Sequence, residues 1–139
     1  MIDFLIHRLI NCAAGPNLGL DTLILDWLAG QPGFADHDPD PDLPLHMHIV
    51  AEEAAERWRQ HAYGLVGHPA AAAQLREHLC PGADYWTRRA AGQFCAAVNG
   101  RHHWHEAVAK DEAAAILAAS LRAYRSNIEE APRVLAVAA

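Results

Sequence analysis

The alanine-rich run from Asp111 to Ser126 constrains this chain more than any other stretch. Alanine is the strongest helix former, and a run of this length is poorly suited to a strand. Asp111 is the natural N-cap, with Glu112 behind it at the end of a helix that favours negative charge. Ala113, Ile116, Leu117, Ser120, Leu121 and Tyr124 trace an inner face. Burying Ile116, Leu117, Leu121 and Tyr124 would stabilise the fold by roughly 1.5 to 3 kcal/mol each before entropy is counted. Arg122 and Arg125 suit the C-terminal end of such a helix.

The segment leading into this helix sets the fold class. From His103 to Ala109, His103, His105, Ala107 and Ala109 alternate with Trp104, Glu106 and Val108, the period of a strand with Trp104 and Val108 on one face. Asn99-Gly100 before it favours a type I′ hairpin turn and serves a helix C-terminus equally well. Asp84–Val98 is open to two readings. Asp84 could cap a helix with Trp86, Ala90, Phe94 and Ala97 on one face, whereas Phe94, Ala96 and Val98 alternate as a strand. The hairpin is the preferred reading and gives an α+β fold, helices packed on a small antiparallel sheet or hairpin. The alternative is an all-α bundle with an obligate dimer face.

Earlier segments are expected to cover the long helix. Ile2, Leu5, Ile6, Leu9 and Ile10 recur at helical spacing and end at Gly15-Pro16; Leu20, Leu23, Ile24, Trp27 and Leu28 repeat the pattern. Asn17 is the candidate N-cap of the second helix and Gly30 its stop, and the two helices are expected to pack as a hairpin. Gln31 to Pro44 carries four prolines and four aspartates and reads as a loop. Met47, Val50, Ala51, Ala54, Trp58 and His61 trace a third helix that ends near Gly64. His68-Pro69-Ala70 opens a short helix through Leu75 and Leu79, and Cys80-Pro81-Gly82 closes it. The apolar tail at residues 132–139 suits an edge strand or a docking segment. The 139 residues make one domain.

Charge and cysteine usage bound the partners. The net charge of −6 opposes tracking a phosphate backbone, so direct nucleic-acid binding is not expected. Ten histidines would carry the net charge towards zero or beyond below about pH 6, with poor solubility there. Cys12, Cys80 and Cys95 are odd in number and widely spaced, which reads as reduced thiols in a cytoplasm. The N-terminus lacks a signal-peptide pattern, and no window reaches the roughly eighteen apolar residues of a membrane span.

Three constellations could carry chemistry. His46-Met47-His48 and His103-Trp104-His105 are histidine pairs at i, i+2, which share a face only on extended backbone. The second pair is therefore the better zinc candidate, with Glu106, His37 or Asp38 as further ligands. Cys80 has His78 nearby, yet spacing supplies no third group, and a lone thiol is usually a small hydrophobe. The aspartates Asp36, Asp38, Asp40 and Asp42 form either a solvated connector or an acidic contact surface; they lack the glycine and distal glutamate of an EF-hand loop. No glycine spacing matches a phosphate-binding loop, and Arg88, Arg89 and Arg101 read as balancing local carboxylates. Trp58, Trp86 and Trp104 each lie on an apolar face. An exposed tryptophan would instead be an anchor for another protein.

Glu106–Ala123, with its strand running directly into an Ile116-Leu117-Ala118-Ala119 core and a Leu121-Arg122-Ala123 end, resembles the C-terminal signature of the phage ABA sandwich family. Leu20-Asp21-Thr22-Leu23, followed by Trp27 and Gly30, resembles that family's opening motif. Together they cover about a fifth of the chain. The chain departs from the family in its extra N-terminal helix, its helix around Ala70–Leu79 and its histidine-rich strands. The resemblance implies helices against a small antiparallel sheet, carriage by a phage or other mobile element, and no catalytic residues to transfer.

These features lead to the expectation of a non-enzymatic accessory or inhibitor protein that binds a host or phage protein, with the loop aspartates and Trp104 at the contact and no cofactor. A homodimer is left open. The alternative is a zinc-binding module or metal-dependent hydrolase built on His103 and His105.

Overall fold

A computed structural model describes residues 1–29, 31 and 65–138. Helices α1 (Ile2–Asn11), α2 (Leu18–Ala29) and α3 (Pro69–Leu79) are followed by strands β1 (Tyr85–Ala90), β2 (Gln93–Asn99) and β3 (Trp104–Ala109), and then by α4 (Glu112–Ala138). The strands form an antiparallel sheet in the order β1-β2-β3. The fold is thus α+β, with four helices among the described residues on a three-stranded sheet.

α4 is the centre of the molecule. Every residue from Ala113 to Leu121 is buried, so no side of its first turns meets water. A helix apolar all round belongs in a core. Its alanines keep it thin enough for the sheet, α1 and α3 all to pack on it. The larger side chains come from its neighbours: Leu5 and Leu9 of α1, Leu20 and Ile24 of α2, Leu75 and Leu79 of α3. Trp27 closes α2 against α4 with its ring edge-on to Tyr124, centroids 5.7 Å apart. α1 touches α2 and also lies along α4 and beside β3.

Within Asp84–Val98 the chain forms two strands, not a helix. β1 and β2 turn through Ala91 and Gly92, whose φ values of 53° and 75° are those of a two-residue type I′ turn. The Asn99-Gly100 turn expected from sequence is different in form. Asn99 remains paired with Trp104, and Gly100 to His103 make a longer loop in which the Gly100 N–H donates to the His103 carbonyl at 2.8 Å. The C-terminal tail differs too: α4 runs on through Pro132 to Ala138 instead of ending near Ser126. Arg122 and Arg125 are therefore mid-helix, Arg122 donating to the Glu106 carbonyl and Arg125 pairing with Asp3. The loop at residues 32–44 and the helix expected from Met47 to His61 lie outside the described residues.

Two buried aspartates join the elements. Asp111 caps α4 by accepting from the Ala114 N–H at 2.9 Å, and it also accepts from the Gly15 and Gly67 N–H groups, both at 3.0 Å. Asp21 of α2 accepts from the Val66 N–H at 2.9 Å. Gly67 has φ +84°, and a Cβ there would lie 2.6 Å from the Pro16 nitrogen.

Replacing Asp111 with alanine leaves three backbone donors without their acceptor, and stability should fall by roughly 3 to 5 kcal/mol in a urea titration. A loss below about 1 kcal/mol would refute the linking role. Gly67→Ala and Gly82→Ala separate strain from collision. Both have positive φ, but only Gly67 meets backbone. Gly82→Ala should cost about 1 kcal/mol and Gly67→Ala well over 2 kcal/mol; equal costs would refute the close packing of Gly67 on Pro16.

Candidate functional site

The two faces of the sheet differ in kind. Ala96, Val98, Ala107 and Ala109 point to α4 and are buried, with Phe94 packed beside them. Alternation then sends Trp86 and Arg88 of β1, Cys95, Ala97 and Asn99 of β2, and Trp104, Glu106 and Val108 of β3 to the opposite face. The register sets Trp86, Ala97 and Glu106 in one row, and Arg88, Cys95 and Val108 in the next. Trp86, Trp104 and Val108 remain 38%, 49% and 47% exposed. The Arg88 guanidinium lies 5.7 Å from the Trp86 ring centroid. This face offers two large aromatic rings, one aliphatic side chain and a charge of each sign.

Trp104 is therefore a surface residue. Asp36, Asp38, Asp40 and Asp42 lie outside the described residues. β3 begins at Trp104, so His103 sits in the preceding turn, exposed, with its ring 6.4 Å from that of His102. His105 is on the α4 side of β3, its imidazole against Gly100, where an added Cβ would come within 3.0 Å of two ring atoms. Glu106 is on the other face. Among the described residues no three His, Cys, Asp or Glu side chains are grouped to hold a metal ion; His37, Asp38, His46 and His48 are outside that set.

Cys80 lies on the wall of a groove of about 550 Å³ between the end of α3, the β2–β3 loop and α4. Cys80 is 3% exposed, and its thiol donates to the Ser120 carbonyl at 3.7 Å. Burial pushes its pKa up to about 11, with Arg76 opposing only in part. Such a thiol stays protonated near neutrality and is a poor nucleophile. Burial likewise lowers the pKa of His78 and raises that of Cys12. All three cysteines are free. Burial is also the main cause raising the pKa of Asp21, against the N–H groups of Val66 and Leu65. Asp21 favours folding below its unfolded value, and that contribution is lost as pH rises through the folded one.

Arg76 escaped the sequence reading. It is 8% exposed, donates to the Ala83 carbonyl and to Glu77 Oε2 at 3.1 Å, and stacks 4.4 Å from the Tyr85 ring centroid. It fixes the loop that delivers the chain into β1. An arginine in the last turn of a short helix gives no sign in sequence that a following loop will fold back over it.

No protein-family model, curated protein sequence or solved structure matches this chain. No helix among the described residues is long and apolar enough to cross a membrane.

Alkylation of the native protein at pH 7.5 should label Cys95, on the outer sheet face, at least tenfold faster than Cys80, a margin of about 1.4 kcal/mol in barrier. Peptide mapping after iodoacetamide reads this directly. Equal labelling of the two would return Cys80 to consideration as a nucleophile.

Proposed function

We propose that this chain is a non-enzymatic accessory or inhibitor protein, encoded by a phage or other mobile element, that acts by binding a host or phage protein through the outer face of its sheet. The observation that carries this reading is the pair Trp86 and Trp104, both exposed on the face turned away from α4. Tryptophan and arginine are among the side chains most enriched at the energetic centres of protein interfaces, tryptophan because it buries much area with few rotors and arginine because its planar guanidinium stacks and donates several hydrogen bonds. Arg88 and Glu106 flank the rings and supply polar groups for orientation. A strand that passes directly into an alanine-rich buried helix, as β3 does into α4, accords with the resemblance to the phage ABA sandwich family. The acidic loop with Asp36, Asp38, Asp40 and Asp42 would extend the contact. A homodimer would present two such faces. Direct nucleic-acid binding has no place in this reading, since the chain carries a net charge of −6.

Affinity capture from a lysate of the organism that carries the gene tests the proposal. The native chain should retain a partner, and Trp104→Ala should weaken its binding about thirtyfold, the loss of about 2 kcal/mol expected for truncating an interface anchor. Trp86→Ala should act in the same direction, with far-ultraviolet circular dichroism unchanged in both. Capture of no partner above background, or binding indifferent to both substitutions, would sink the reading.

A further inference from the structure

An edge strand leaves half of its backbone N–H and C=O groups without ladder partners, and folded proteins usually guard them. The two edges of this sheet are treated differently. On β3 the Glu106 carbonyl accepts from Arg122, and α1 packs beside the strand. On β1 the outward groups belong to Tyr85, Thr87 and Arg89. The Asp84 carbonyl accepts from the Asn99 N–H at 2.9 Å, and the antiparallel alternation then turns Trp86, Arg88 and Ala90 towards β2. Every residue of β1 except Thr87 is exposed, and among the described elements no strand lies beyond it. The Thr87 hydroxyl donates to Glu112 Oε1 at 3.2 Å, which ties the side chain to α4.

The sequence of this edge is self-complementary. Antiparallel pairing of two copies about an axis at Thr87 sets Thr87 opposite Thr87, Trp86 opposite Arg88 and Tyr85 opposite Arg89. The outward groups then form hydrogen-bonded pairs, about six bonds in all, while Trp86 and Arg88 become the closer, non-hydrogen-bonded pairs. Arg88 already lies over Trp86 within one chain, so the contact chemistry suits both partners. Tyr85 contributes less, because Arg76 occupies one side of its ring. Arginines on an edge ordinarily oppose pairing by setting like charges against each other. Here they bear on the register: an axis at Arg88 or Arg89 would set arginine against arginine, and the axis at Thr87, the central outward residue of the strand, sets each arginine against an aromatic ring.

We infer that a second copy of this chain docks on the open edge of β1, joining three strands from each copy into one antiparallel sheet across a two-fold axis at Thr87. The joined sheet carries Trp86 and Trp104 of both copies on the same face. Trp86 and Arg88 belong both to this contact and to the face that the partner reading uses. The outward backbone groups of Tyr85, Thr87 and Arg89 belong to the edge alone, so Thr87→Pro, which leaves Trp86 and Trp104 in place, separates the two readings. One six-residue edge buries little area, which puts the dimer in the weak class, with a dissociation constant of about 10 to 100 µM.

Sedimentation equilibrium of the full chain from about 5 µM to about 1 mM should show reversible dimerisation in that range. Thr87→Pro removes the axial N–H at a position where edge strands tolerate proline, and it should weaken the dimer at least tenfold. Arg88→Glu should weaken it about tenfold. Hydrogen exchange on the unaltered chain gives a test that needs no variant: the amides of Tyr85, Thr87 and Arg89 should gain protection as concentration rises. A chain monomeric at 1 mM, a dimer indifferent to both substitutions, or protection of these three amides that does not change with concentration would each overturn the inference.

Discussion

The carboxylate of Asp111 holds together parts of the chain that are far apart in sequence. It takes one N–H from the turn after α1, one from the segment before α3 and one from the first turn of α4. Each donor belongs to backbone that is at least partly buried, where an unpaired N–H costs as much as a lost hydrogen bond. Asp21 does the same for Val66 from the side of α2. Gly67 lets the segment come this close, because any side chain there would collide with Gly15 and Pro16. Remove the acceptor and the link between α1 and α2 no longer has a reason to lie against the start of α4.

That junction matters because α4 is enclosed by small side chains. Alanine buries little area per residue, so the helix depends on close approach by its neighbours instead of on large side chains of its own. α1, α2 and α3 bring the leucines and isoleucines to it, and the sheet offers alanine and valine in return. The packing is tight on the inner side of the sheet and consumes its apolar residues. Trp86 and Trp104 stay exposed on the other side. The same asymmetry marks the edges: β3 is guarded by Arg122 and α1, and among the described elements nothing equivalent packs on β1.

The elements legible in the sequence are those decided by local physics. Periodicity found α1, α2 and α3, proline at a first turn marked the start of α3, and Asn17 and Asp111 were legible as caps because capping is decided within four residues. The strand alternation from Trp104 to Ala109 was legible for the same reason. β1 was obscured because its aromatic and charged residues show no buried face, and its turn because Ala91 takes a positive φ that alanine seldom adopts. The Asn99-Gly100 pair gave a strong hairpin signal, but the register with Trp104 required a longer loop.

By itself, then, the sequence pointed to α1, α2, α3 and the start of α4, to the caps Asn17 and Asp111, to α+β as the preferred class and to the acidic charge, all properties of neighbours along the chain. Tertiary structure decided the remainder: that Asp111 joins three segments as well as capping a helix, that α4 is buried on every side, and that Trp104 faces solvent while His105 faces α4. Those outcomes depend on which segments meet across tens of residues. A carboxylate, an alanine run or a tryptophan carries the same local signal whichever neighbours the fold brings to it.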